Sequence, residues 1–345
     1  MNIFLAQQNY HIGNFEANTK KIIEAINIAK SQNADLIVFS ELCICGYPPR
    51  DFLEFEDFIE RSYRALDEIK QHTDNIGVLV GAPARNRQYD GKDLFNAVFL
   101  LHEKEIKAEV HKTLLPTYDV FDEYRYFEPA YEWNIIEFKG KRLAVTICED
   151  IWNLGDNPLY RVCPMDMLME QKPDFMINLS ASPFDYTHYE DRKAIIKANV
   201  LKYGLPIFYC NTVGSQTEIV FDGGSFIFDK EGNIAKAFPL FEEIIDGLKL
   251  NDDNTFNTPI TESADKLPTH ELNPERLIPS LNTNEIYNAL VMGIRDYFSK
   301  MGFTKAILGS SGGIDSAVTL ALACDALGAE NVRAILMPSP YSTSH

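Results

Sequence analysis

Three polar residues stand where apolar runs end. They are Glu41 in Phe39-Ser40-Glu41-Leu42-Cys43, Lys112 in His111-Lys112-Thr113-Leu114-Leu115-Pro116, and Cys148 in Val145-Thr146-Ile147-Cys148-Glu149-Asp150. Layered α/β folds place their sites at the C-terminal ends of strands. A thiolate there can attack an amide carbonyl, passing through a tetrahedral species to a thioester. The attack needs a base that takes the thiol proton and later hands one to the leaving amine, which a partly buried carboxylate can do. It also needs a positive group facing the developing oxyanion. The set reads as Cys148 nucleophile, Glu41 base and Lys112 oxyanion stabiliser. Each residue alone has a plainer reading: an inert core cysteine, a cap, and a charge leaving a sheet.

A second pattern lies near the other end. Gly309-Ser310-Ser311-Gly312-Gly313-Ile314-Asp315-Ser316 follows the apolar run Lys305-Ala306-Ile307-Leu308 and precedes Ala317-Val318-Thr319-Leu320-Ala321-Leu322-Ala323. This reads as strand, Gly-rich turn and helix, where backbone N–H groups and a helix N-terminus converge on an anion. No Gly-Lys-Ser/Thr ends it, so it is not the Walker A pattern. Gly312 and Gly313 would let the backbone close on phosphates, with Ser311 and Ser316 adding hydroxyls. Asp315 would be repelled by phosphates unless Mg²⁺ lay between them, which makes it a candidate metal ligand. The alternative is an ordinary strand–helix turn with Asp and Ser as caps.

The elements that must position these residues follow from periodicity. Short β-rich runs are expected at 3–7, 36–40, 76–81, 97–101, 106–111, 135–138, 143–148, 175–179, 207–211 and 225–228. Helices are expected at 16–31, 56–71, 160–171 and 190–203. Ile22, Ile23, Ile26 and Ala29 form an apolar stripe at helical spacing. Such alternation implies sheets covered by helices. The hairpin-like pair 94–101 and 105–111 implies that the sheet is not purely parallel. Composition turns polar at Asn251-Asp252-Asp253-Asn254-Thr255, and Pro259, Pro268, Pro274 and Pro279 follow. Residues 251–284 therefore read as a linker between a first domain, 1–250, and a second, 285–345. The second opens with a helix over Glu285–Lys300.

The chain has 345 residues, 32 basic and 50 acidic, for a net charge of −18. That balance argues against nucleic acid and against an anionic membrane surface as partners. No apolar run approaches the roughly 20 residues that span a bilayer. Cys43, Cys45, Cys148, Cys163, Cys210 and Cys324 are spaced for neither a zinc site nor a disulfide scaffold. A reduced, cytoplasmic setting is expected.

The Glu41, Lys112 and Cys148 segments resemble the three motifs of the nitrilase superfamily, cysteine amidohydrolases with an α-β-β-α sandwich fold. The run His111–Phe127, together with Asn178–Phe184 and Val220–Phe226, is similar to the glutaminase domain of the glutamine-dependent NAD synthetase family. The Gly309–Ser316 loop resembles that of the ATP pyrophosphatases, whose Rossmann-like domain adenylates a carboxylate, and Ala334–Tyr341 resembles the next strand of NAD synthetase. The resemblance implies L-glutamine as the amide, ATP with Mg²⁺ as a substrate complex, and deamido-NAD as the acceptor of ammonia. It implies no tightly bound cofactor and a homo-oligomer. By motif position it implies that Tyr118 and Ser182 contact glutamine. Where the family usually carries a Lys, six residues after that Ser, this chain has His188, with Arg192 four further on; both join the implied glutamine site. Glu149 is a candidate for the substrate ammonium, or else an ordinary ion-pair partner. Roughly 60 residues after the linker are fewer than a synthetase domain needs, so a longer parent protein is expected. Two other readings stay open: a stand-alone amidohydrolase with a vestigial C-terminal segment, and a non-catalytic domain that keeps the fold.

Overall fold

The computed structural model describes residues 1–88, 90–154, 159–257 and 279–336. Strand β1 (Asn2–Gln7), helix α1 (Phe15–Ser31), β2 (Leu36–Val38), α2 (Glu56–Lys70), β3 (Gly77–Arg85), β4 (Leu94–His102) and β5 (Glu105–His111) come first. Then follow β6 (Ile136–Phe138), β7 (Lys141–Ile147), α3 (Pro164–Met169), β8 (Phe175–Ser180), α4 (His188–Tyr203) and β9 (Ile207–Asn211). A hairpin of β10 (Val213–Gln216) and β11 (Ile219–Asp222) precedes β12 (Phe226–Phe228), β13 (Ile234–Ala237) and β14 (Ile244–Lys249). Beyond these lie α5 (Pro279–Lys300), β15 (Ala306–Ser310), α6 (Ile314–Leu327) and β16 (Val332–Leu336).

Two six-stranded sheets carry the fold, in the orders β14-β1-β2-β3-β4-β5 and β13-β12-β9-β8-β7-β6. Both are mixed: β1, β2 and β3 run parallel, while β4, β5 and β14 pair antiparallel. In the second sheet β7, β8 and β9 are parallel. The side-chain period of two builds three apolar layers. Ile3, Leu5, Leu36 and Val38 meet Leu143, Val145, Ile147, Phe175, Ile177 and Leu179 between the sheets. Phe4, Ala6, Ile37 and Phe39, on the alternate face, pack with Ile22, Ala25, Ile26 and Ala29 of α1 and Ile59, Leu66 and Ile69 of α2. Ala144 and Met176 face Leu168 of α3 and Ile196 and Val200 of α4. The result is the expected α-β-β-α sandwich.

Some boundaries differ from the sequence expectation for physical reasons. β2 stops at Val38 and β7 at Ile147, because the chain turns sharply at Leu42 (φ 45°) and at Cys148 (φ 42°). The helix expected over 160–171 spans Pro164–Met169, opened by Pro164 at its first turn. The hairpin β10–β11 and strands β13 and β14 were not expected. The helix expected at Glu285 begins at Pro279, and residues 258–278 of the expected linker lie outside the described residues. So does the part of the Ala334–Tyr341 segment beyond Leu336.

Candidate active site

Strands β2, β5, β7 and β8 end at one rim of the sandwich, and their next residues meet there. Glu41 lies in the turn after β2, which approaches β3 so closely that a Cβ at Gly81 would sit 2.4 Å from the Leu42 nitrogen. Glu41 and Lys112 are fully buried, with 0% side-chain exposure each. Lys112 Nζ donates to Glu41 Oε1 at 2.7 Å and to Glu123 Oε1 at 2.7 Å. Asn96 Nδ2 donates to Glu41 Oε1 at 2.7 Å, and the backbone N–H of Ala181 to Glu41 Oε2 at 3.0 Å. Tyr47 donates its hydroxyl to Glu123 Oε1 at 2.8 Å. Burial alone would lower Lys112, but the Glu123 and Glu41 carboxylates outweigh it and hold the ammonium well above its ordinary value. Burial pushes Glu123 up to about 7 against the pull of Lys112.

Cys148 occupies the strained turn after β7 and heads a short 3₁₀ turn, Cys148–Ile151. A non-glycine residue at positive φ persists only where its surroundings hold it. Asp150 supplies that hold. Its Oδ2 accepts from the Ile147 N–H at 3.0 Å, and its Oδ1 from the Thr113 and Leu114 N–H groups at 3.0 and 2.9 Å. One carboxylate thereby ties the cysteine turn to the segment after Lys112. Burial raises Asp150 to about 7 despite these donors. Burial also pushes the Cys148 thiol well up, Glu41 adds to the rise, and Lys112 opposes it. Burial thus favours the thiol form, and Glu41 and Lys112 are close enough for each charge to act on the sulfur.

A cavity of about 310 Å³ opens above the thiol, at the small end of the roughly 300–1,000 Å³ typical of ligand pockets. Tyr118, Glu149, Ser182 and His188 line it with Cys148, as do Trp152, Phe184 and the segment Glu218–Val220. Glu41 and Lys112 sit behind the thiol rather than in the lining. Glu149 accepts from the hydroxyls of Tyr118 (2.9 Å) and Tyr160 (3.2 Å), and burial raises its pKa. His188 packs edge-on to Trp152. Burial lowers His188 to about 4, with the nearby Arg192 adding to the effect, so the imidazole is neutral at physiological pH. Among the described lining residues there is no Lys or Arg.

Arg192 does not join them. It is fully buried, donating to Asp222 Oδ1 at 2.8 Å and to the Gly223 carbonyl at 2.8 Å. It lies outside the cavity lining because Asp222 of β11 holds the guanidinium in a buried ion pair. Glu123, Asn96, Asp150 and the β10–β11 wall belong to the site's surroundings and were not singled out from sequence. Asp150, two residues after the cysteine, was the one with a readable signal, since a short acid so placed can cap its own turn.

In the second unit, β15 and β16 are parallel, with Ala306 opposite Val332 and Ser310 opposite Leu336, and α6 crosses between them. Gly309 and Ser310 end β15, Gly312 turns at φ 83°, and Gly313 is the N-cap of α6. Ser316 Oγ bonds the Gly313 carbonyl at 2.9 Å and lies 3.2 Å from Ser311 Oγ. Ser311 to Asp315, Ile314 included, are exposed.

Residues 3–252 match the carbon-nitrogen hydrolase family. The chain belongs to that family. Residues 286–345 of this carbon-nitrogen hydrolase also match the NAD synthase family. The chain is 39% identical to the glutamine-dependent NAD(+) synthetase of Synechocystis sp. over 99% of its own length and 60% of that protein's. It is 34% identical to the protein of the same name from Thermotoga maritima, over 99% and 61%. Among solved structures it is similar to the glutamine-dependent NAD⁺ synthetase of Acinetobacter baumannii in complex with ADP. The TM-score is 0.86 at 35% identity, over 99% of this chain and 60% of that one. An amidase from Nesterenkonia sp., at 20% identity and TM-score 0.62, shares the fold over 74% of this chain. The chain spans about 60% of the length of the synthetases it matches. No helix among the described residues is long and apolar enough to cross a membrane.

Proposed function

We propose that residues 1–250 form a glutaminase domain of a glutamine-dependent NAD synthetase, that 251–284 link it onward, and that 285–345 begin the ATP-dependent synthetase domain. The observation that carries the reading is the fully buried contact of Lys112 with Glu41, whose charges act on Cys148, beside a cavity of about 310 Å³ that the cysteine lines. The similarity to synthetases along the whole chain supports glutamine as that amide.

In this reading Glu41 takes the Cys148 proton as sulfur bonds to the amide carbon. The oxyanion develops toward Lys112. Collapse breaks the C–N bond, and the proton on Glu41 passes to the departing nitrogen, which leaves as ammonia. Water, deprotonated by Glu41, then cleaves the thioester to glutamate and returns the thiol. Glu149, fixed by two tyrosine hydroxyls, would hold the α-ammonium, with Tyr118, Ser182 and neutral His188 around the substrate's other end. Arg192 would act by holding β11 rather than by touching glutamine. On the exposed loop Gly309–Ser316, ATP would rest its phosphates, with Mg²⁺ carried by ATP and met by the accessible Asp315 carboxylate. The adenylated acceptor would be the carboxylate of deamido-NAD.

The test is glutamate release from glutamine by this chain beside its Cys148→Ala variant. Release that vanishes in the variant is the expected outcome. In a chain that also carries a complete synthetase domain, the same substitution should leave synthesis from free ammonia intact. Equal release from unrelated amides, with no preference for glutamine, would favour a general amidohydrolase instead.

A further inference from the structure

Helix α5 leads toward the Gly-rich loop and packs on α6, yet another part of its surface lies against the β10–β11 hairpin of the glutaminase-like sandwich. The β10–β11 hairpin lies against α5, and its turn and second strand, Glu218 to Val220, form one wall of the cavity. A Cβ at Gly293 would meet Val220 Cγ2 at 3.6 Å, so the helix backbone abuts a wall residue directly. One turn further, Asp296 Oδ2 accepts from the Ser215 N–H at 2.7 Å and from Asn9 Nδ2 at 2.7 Å. Lys300 Nζ donates to the Ser215 carbonyl at 2.7 Å, the Tyr10 carbonyl at 2.8 Å and Asn9 Oδ1 at 2.7 Å. All three ammonium protons are used. Ser215 is gripped by both its N–H and its C=O, and it stands directly opposite Val220 in the hairpin register. The Val220 carbonyl in turn accepts from the Phe184 N–H at 2.7 Å, and Phe184 lines the facing side of the cavity. An ordinary i,i+4 pair on a helix points into water and contributes little. This one shows 15% and 12% side-chain exposure and spends its bonds on the hairpin.

We propose that Asp296 and Lys300 are positioning residues for amide hydrolysis: by clamping Ser215 they fix the β10–β11 wall and set the affinity for the amide. The proposal rests on the glutaminase reading above. The clamp touches neither Cys148 nor the amide carbonyl, so its loss moves KM and leaves the chemical step largely alone. It also carries its own pH signature. Burial lowers Lys300 to about 8, Asp296 and Glu243 oppose the shift, and Lys21 adds to it; His11 is the remaining titratable group that senses the ammonium. As pH rises through that value the ammonium loses its charge and the clamp loosens.

The experiment is steady-state glutamine hydrolysis by the whole chain, from about pH 7 to about pH 9, for wild type, Asp296→Asn, Lys300→Met and Lys300→Arg. Expected at neutral pH is a rise in KM of about tenfold for Asp296→Asn and Lys300→Met, with kcat within about twofold. Wild-type KM should rise near pH 8, and Lys300→Arg, whose charge persists, should move that rise out of the range. Folded Asp296→Asn and Lys300→Met variants with unchanged KM would overturn the clamp. If wild type released no glutamate at all, the glutaminase reading would fall instead, which keeps the two failures distinct. Should Lys300→Met not fold, Asp296→Asn still decides.

Discussion

The buried Lys112 between two carboxylates makes the strongest quantitative demand. Lys112→Met keeps much of the stem volume and removes the charge that compensates Glu41 and Glu123 in their shared enclosure, since both contacts are 2.7 Å and the lysine is fully buried. Breaking a buried ion pair by deleting one partner costs about 3–5 kcal/mol. For a domain of this size each kcal/mol corresponds to roughly 2–4 °C, so the melting temperature at mildly alkaline pH should fall by about 6–20 °C. The deficit should depend on pH with a fixed sign. Glu123 already sits at about 7, against an ordinary 4.5, with Lys112 holding it down; without the lysine it rises further. A carboxyl whose folded pKa exceeds its unfolded one keeps a proton in the native state that the unfolded chain releases. Stability is then lost as pH rises from the unfolded value through the folded value. The variant should therefore lie closest to wild type near pH 5 and furthest from it near pH 8. Thermal unfolding followed by circular dichroism at those two values, for both proteins, measures this directly, and glutamate release should be absent in the variant at both. An equal deficit at the two values would refute the charge argument, as would a deficit below about 1 kcal/mol at the higher one.

Arg192→Met should leave Asp222 buried without its guanidinium and cost about 3–5 kcal/mol in urea unfolding, with any rise in KM for glutamine accompanying that loss of stability as β11 loosens. A large KM change at unchanged stability would return Arg192 to the substrate. His188, neutral above about 4, should give glutamine KM no inflection near pH 6.5, and His188→Gln should shift KM by less than about threefold. A tenfold weakening on that neutral substitution would show that the imidazole binds as a cation.

What was legible in the sequence was local. Glu41, Lys112 and Cys148 stood out because each breaks an apolar period at a strand end, and the same rule placed β1, β8 and β9. The strand–turn–helix signal at Gly309–Ser316 was equally local. The hairpin β10–β11 carried no such mark. Its turn, Thr217-Glu218, has neither Gly nor Asn, although Thr217 sits at φ 51°. Strand β14 is interrupted by Asp246-Gly247 and exists because β1 offers it an antiparallel edge. Glu123 falls in the run Asp119–Arg125, where nothing local sets it apart from the neighbouring acids; its contacts with Tyr47, Asn96 and Lys112 bury it. For Arg192 the resemblance implied the glutamine site, and the partner that holds it outside the cavity lining, Asp222, is thirty residues away.

The arrangement also bears on why a buried thiol with a raised pKa suits the proposed chemistry. Many reactive cysteines work from a thiolate stabilised by an adjacent cation in a partly exposed site. Here Glu41, Glu123 and Glu149 act on the thiol against the Lys112 ammonium, and a free thiolate would add a further buried negative charge. The proton transfer from Cys148 to Glu41 avoids this. It moves negative charge from the carboxylate to sulfur, and attack moves it on to the oxyanion, while the total charge of the enclosure never changes. Lys112, kept protonated by Glu123 throughout, faces that charge wherever it stands. The second carboxylate thus explains how a lysine out of reach of water can remain an ammonium at the moment Glu41 is neutralised. It also follows that the sulfur becomes strongly nucleophilic only while an amide is in place to receive the charge.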